Sequence, residues 1–160
     1  MIILDANVWI AFFNKDDSQH KKAVTIFECI GEIVHMPEYV LIEILTILKL
    51  KVNKKVVSNF LEFLNDCLGV EIFYTQRDVL KKVMYFFGRK YYQKLSFVDQ
   101  YLLYLSKYAK IITFDKALNR ALRDQEKSEF EINDNEVFKE NKFIKEANEF
   151  SKYLDSTNYE

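Results

Sequence analysis

The 160-residue sequence is poor in chain breakers, with three glycines and one proline. That scarcity argues against a turn-rich all-β protein and favours helices. Cysteine is scarce too. Cys29 and Cys67 match neither metal-ligand spacing nor a disulfide framework, so both are expected to be reduced packing residues of a cytoplasmic protein. The two histidines, His20 and His35, form no zinc-type set and are expected to have no catalytic duty. No apolar run is long enough to cross a bilayer, and the richest, Tyr39 to Leu50, is broken by Glu43, Thr46 and Lys49. Met1 to Leu4 lacks the basic lead-in of a secretion signal. Net charge is nearly absent: 23 Lys and Arg stand against 24 Asp and Glu. Taken alone, that balance counts against a nucleic-acid partner.

What is present is a globular composition. Hydrophobic residues make up 49% of the chain and aromatics 16%, which excludes a disordered chain, and the length suits one domain. The charge is unevenly spread. Residues 1–124 carry 18 Lys and Arg against 14 Asp and Glu, and residues 125–160 carry 5 against 10, so a basic body precedes an acidic tail.

Apolar runs alternate with helical periodicities from the first residue. Strands are expected at Met1–Leu4, Ile33–Met36, Val70–Tyr74 and Ile111–Phe114, with a weak fifth at Phe130 and Ile132. Helices are expected after Asp5, over 18–30 ending near Gly31, over 37–50 with Pro37 in first position, and over 53–67. Further helices are expected over 78–92, 96–108 and 115–123. This alternation implies a parallel sheet covered on both faces. Phe143, Ala147, Phe150 and Leu154 are spaced as on an amphipathic helix. Residues 133–160 therefore read as an acidic, helical C-terminal extension of a domain spanning 1–132.

Four acids stand out. Asp5 and Asp115 each follow a strand, where either could cap the next helix. Asp99 follows Ser96 by three, the spacing of a capping box. Glu43 is the only charge in Tyr39–Leu48, and a carboxylate on so apolar a face calls for a cation, a metal or a partner. The alternative for Glu43 is a narrow solvent stripe shared with Thr46. In a parallel sheet Asp5 and Asp115 both lie at the carboxyl edge, where ligand sites of open α/β sheets form. The helix bearing Asp99 begins near the same edge. Carboxylates gathered there repel unless protonated or bridged by cations, and hard Mg²⁺ or Mn²⁺ fits oxygen ligands best. Such ions suit phosphodiester hydrolysis. Asn7 and Thr113, two residues from Asp5 and Asp115, could orient a carboxylate or a water.

The run Met1-Ile2-Ile3-Leu4-Asp5-Ala6-Asn7 resembles the opening of a PIN-domain nuclease. Glu43 after Pro37, Ser96-Phe97-Val98-Asp99 and Ile112-Thr113-Phe114-Asp115 match the later motifs in order. The size is most similar to VapC-like toxins of toxin–antitoxin pairs. The resemblance implies a three-layer α/β/α sandwich with a five-stranded parallel sheet, order 3-2-1-4-5. It also implies a Mg²⁺- or Mn²⁺-dependent ribonuclease, a homodimer, and an antitoxin partner. Asp5, Glu43, Asp99 and Asp115 would form its acidic centre, supported by Asn7, Thr113 and Ser96. Lys116, Arg120 and Arg123 share a helix face near the acids and, with Arg89 and Lys90, are the expected RNA contacts. The rival readings are a non-catalytic PIN-like module binding RNA or protein, a housekeeping RNA-processing nuclease, another phosphohydrolase on a similar sheet, and a DNA substrate.

Overall fold

The computed structural model describes residues 1–88 and 94–127. In chain order the elements are β1 (Ile2–Leu4), α1 (Ala6–Phe13), α2 (His20–Cys29), β2 (Val34–Pro37), α3 (Glu38–Ile47), α4 (Lys54–Asp66) and β3 (Val70–Phe73). They continue with α5 (Arg77–Phe87), α6 (Phe97–Leu105), β4 (Lys110–Ile112) and α7 (Lys116–Lys127). Among the described residues the sheet has four strands, ordered β3-β2-β1-β4, and every pairing is parallel. The expectation of five strands in order 3-2-1-4-5 is therefore corrected to four. The chain leaves β4 into α7, which runs on through Lys127, past the expected end near residue 123. Phe130 and Ile132, the expected fifth strand, lie outside the described residues, as do the extension at 133–160 and the Arg89 and Lys90 positions.

Short buried strands make the centre of the fold. Ile3, Leu4 and Met36 are fully buried, and central β1 pairs with β2 on one side and β4 on the other. The helices form two groups: α1 packs on α2, α3 and α4, while α6 packs on α5 and α7. On α1 the apolar residues Val8, Trp9, Phe12 and Phe13 recur at helical spacing and feed one aromatic cluster. Trp9 meets Phe27 at 4.9 Å and Phe60 and Phe63 at 6.2 Å between ring centroids, all edge to face. Its indole N–H has no oxygen or nitrogen partner among the described residues. Truncating so buried a ring costs about 3–5 kcal/mol, so Trp9 anchors the helix that carries Asn7.

Element ends differ from expectation in ways that have local causes. No described glycine adopts a positive φ; α2 ends because Ile30 turns extended, not through a left-handed Gly31. Pro37 is the last residue of β2 and the extended cap of α3, one position before the helix it was expected to open. Between α3 and α4 the chain makes a π-helical turn over Leu48–Val52. The side chain of Asn53 then accepts the Val56 N–H at 2.9 Å and starts α4. Cys29 and Cys67 are free thiols, but Cys29 is exposed and so is not the packing residue expected, while Cys67 is half-buried. No described helix is long and apolar enough to cross a membrane.

Candidate metal and nuclease centre

Asp5 leaves β1 at its carboxyl end and is 4% exposed. Its backbone N–H donates to the Ile112 carbonyl at 2.9 Å, which extends the β1–β4 pairing by one step and sets the carboxylate beside the end of β4. Three donors converge on that carboxylate. The Ala6 N–H donates to Oδ1 at 2.7 Å, while Thr113 Oγ1 and Asn7 Nδ2 each donate to Oδ2 at 2.6 Å. Thr113 Oγ1 also accepts from the Asp115 N–H at 2.9 Å, and Asn7 Oδ1 accepts from the Phe114 N–H at 3.0 Å. The first turn of α1 is thereby tied to the β4–α7 turn. Burial raises the Asp5 pKa to about 6; the Thr113 and Ala6 bonds oppose that rise, and the charges of Asp99 and Asp115 add to it.

The other acids arrive on three different helices. Asp115 is exposed and caps α7, its Oδ1 accepting the Leu118 N–H at 2.7 Å. Asn119 Nδ2 donates to both the Thr113 and Asp115 carbonyls at 2.9 Å, holding the same turn from the other side. Asp99 and Ser96 complete the expected capping box at α6: the Ser96 N–H donates to Asp99 Oδ2 at 2.7 Å, and the Asp99 N–H donates to Ser96 Oγ at 3.1 Å. Glu43 is half-buried on α3, whereas Ile42 and Thr46 occupy the exposed stripe. Burial pushes the Glu43 carboxyl up to about 7, and the charges of Asp5 and Asp99 push in the same direction.

Asp5, Glu43, Asp99 and Asp115 thus share one electrostatic neighbourhood at the carboxyl edge, linked through Asp5 and Asp99. Each sequence explanation of a capping acid holds as well: Asp5, Asp99 and Asp115 all cap helices there. Among the described residues no three His, Cys, Asp or Glu side chains draw together closely enough to hold an ion. The donor chemistry nevertheless fits a hard divalent cation. The acids are carboxylates without thiolate or imidazole among them, and two, Asp5 and Glu43, are pushed toward neutrality by burial and by neighbouring carboxylates. His20 and His35 stand apart from this group: His20 Nδ1 faces the Ala11 carbonyl at 2.8 Å, and His35 faces Glu71 at 3.4 Å.

Lys116, Arg120 and Arg123 are exposed on α7, just beyond Asp115, and Arg123 Nε donates to the Asn119 carbonyl at 3.3 Å. A second polar link at the same edge was not expected from the sequence. Glu38 follows β2 and accepts the Thr75 N–H at 2.9 Å; Thr75, beyond β3, is hydrogen-bonded to the buried Tyr101 hydroxyl at 2.8 Å. The signal was available, because Glu38 follows its strand as Asp5 follows β1.

Residues 2–123 match the PIN-domain family model, and the chain belongs to that family. Membership supports a nuclease-type role. The fold is similar to the crystal structure of Mycobacterium tuberculosis VapC20, described as a sarcin–ricin-loop-cleaving toxin. The TM-score is 0.67 at 20% identity, over 76% of this chain and 95% of that one. No curated protein matches the chain significantly.

Proposed function

We propose that the protein is a divalent-metal-dependent endoribonuclease and that Asp5, Glu43, Asp99 and Asp115 form its acidic centre. The observation that carries this reading is the mutual charge influence of these acids at one sheet edge: Asp99 and Asp115 raise the Asp5 pKa, and Asp5 and Asp99 raise that of Glu43. A buried carboxylate beside like charges is costly unless a cation joins it. Mg²⁺ or Mn²⁺ supplies that charge, and when bound it also activates water and offsets the charge of the phosphodiester.

The chain's own residues prepare for this work. Thr113 and Asn7 fix Asp5 by donating to one oxygen, and the Ala6 N–H holds the other. Ser96 holds Asp99 at the start of α6, and Asn119 steadies the turn that presents Asp115. Lys116, Arg120 and Arg123 supply positive charge for the RNA backbone. The likeness in fold to a toxin favours the toxin of a toxin–antitoxin pair, acting as a homodimer with a cognate antitoxin, over a housekeeping nuclease. The presence of all four acids favours an enzyme over a non-catalytic module.

The test uses the purified full chain, single-stranded RNA, and Mn²⁺ or a chelator. Cleavage in Mn²⁺, its loss with chelator, and its loss in correctly folded Asp5→Asn and Asp99→Asn proteins are the expected results. Undiminished cleavage by both variants would remove the acids from the chemistry.

A further inference from the structure

Three aromatic rings meet in a row across α3, which carries Glu43, α6, which carries Asp99, and the end of α5. Tyr39 lies one turn before Glu43 on α3, and its ring meets that of Phe97 at 5.7 Å between centroids. Phe97 opens α6, two residues before Asp99, and meets Phe87 at 5.5 Å. Phe87 ends α5 and remains 47% exposed, while Phe97 and Tyr39 are half-buried. The inner end of this row is fixed. Tyr39 packs against buried Tyr101 at 5.2 Å, and the Tyr101 hydroxyl is tied to Thr75.

Core packing accounts for Tyr39 on Tyr101. It does not account for a row that continues through Phe97, on the helix of Asp99, to a half-exposed phenylalanine. The rings meet nearly at right angles, at 83° for Tyr39–Phe97 and 73° for Phe87–Phe97. Phe87, at 47% exposure and with Phe97 meeting it edge to face rather than stacked, keeps ring surface open to solvent. Such surface takes unpaired nucleobases with little regard to sequence. Acids alone repel a polyanion, so an uncharged contact next to them provides grip without adding to that repulsion.

We propose that Phe87 and Phe97, backed by Tyr39, form a stacking platform for an unpaired nucleobase next to the phosphodiester that is cut. This inference rests on the ribonuclease reading and adds to it the side chains that receive the base beside the cut. A base within a duplex has both faces covered and does not fit.

The test compares cleavage of a single-stranded RNA by the wild-type protein, Phe87→Ser and Phe87→Trp in Mn²⁺. Phe87→Ser lowers kcat/KM roughly tenfold or more, the scale of one lost base–ring contact, and Phe87→Trp restores it. The loss disappears on an RNA with an abasic residue at the stacking position, located by scanning the abasic residue through the strand. In parallel, 2-aminopurine at that position is quenched on binding to Asp99→Asn protein, and the quenching is lost in Asp99→Asn with Phe87→Ser. Wild-type values within twofold for Phe87→Ser, or an equal loss on ordinary and abasic strands, would overturn the platform while leaving the ribonuclease reading intact. Absence of RNA cleavage by the wild-type protein would instead defeat the reading on which the platform rests.

Discussion

The two halves of the carboxyl edge hold their acids by different means. On the β1–β4 side Asp5 accepts three hydrogen bonds within a network that includes Asn7 and Thr113 and extends to Asp115 through its backbone N–H. On the α3–α6 side burial and the charges of Asp5 and Asp99 all push the Glu43 pKa upward. The first half is arranged in advance; on the second, Ser96 holds Asp99, while burial and like charge both disfavour the ionised Glu43. On the proposed metal-dependent reading, prearrangement would fix where a cation sits, and the disfavoured charge would supply much of the reason for it to bind.

The largest effect expected from this contrast is a dependence of metal-free stability on pH. Both carboxyls bind protons more tightly in the folded protein than in the unfolded chain, because their folded pKa values are raised. Their contribution is therefore fully present below the unfolded values near 4. It is lost as pH rises through about 6 for Asp5 and about 7 for Glu43. For Asp5 the loss is on the order of 3 kcal/mol, and for Glu43 it is smaller because water screens the half-buried side chain. Urea unfolding in chelator at pH 5 and pH 8 measures the difference, and equal stability at both would show that the acids are not under strain.

Thr113→Val attacks the prearranged half. It removes a donor from Asp5 and an acceptor from the Asp115 N–H. A loss of about 1–3 kcal/mol in stability is expected, with a roughly 10–100-fold loss of metal affinity or activity. Unaltered metal affinity would mean that the network serves the fold alone. Glu43→Gln attacks the other half and has the opposite sign for stability. In chelator above pH 7 it raises the melting temperature and flattens the pH slope, while it lowers Mn²⁺ affinity. The smallest effect is expected at the exposed cations. Arg120→Ala leaves melting unchanged and reduces the salt dependence of RNA binding by roughly one unit of slope.

How legible this edge was depended on sequence distance. Asp5 and Asn7 follow one strand and Thr113 and Asp115 follow another, so an apolar run ending in a polar residue marks each. The Ser96–Asp99 box is likewise a local pattern. The link from Glu38 through Thr75 to Tyr101 joins residues 26 and 37 positions apart, and it exists only because β2 and β3 are neighbours in the sheet. Tyr101 sits within an apolar helix, where its hydroxyl leaves no periodic signature. Likewise, the π-helical turn at Leu48–Val52 substitutes one helical hydrogen-bond pattern for another, which apolar spacing does not distinguish. The charge balance misled in a different way. A near-neutral total concealed the basic character of residues 1–124, where the family match falls.

The central claim is that the prearranged half and the half bearing Glu43 together make one divalent-cation centre. Thermal unfolding during a Mn²⁺ titration at pH 7.5 tests it most directly, on the wild-type protein and on Asp5→Asn, Glu43→Gln and Asp99→Asn. The account predicts a saturable rise in Tm for the wild type that shrinks in all three variants and at pH 5. No rise in the wild type, or the same rise in every variant, would contradict it.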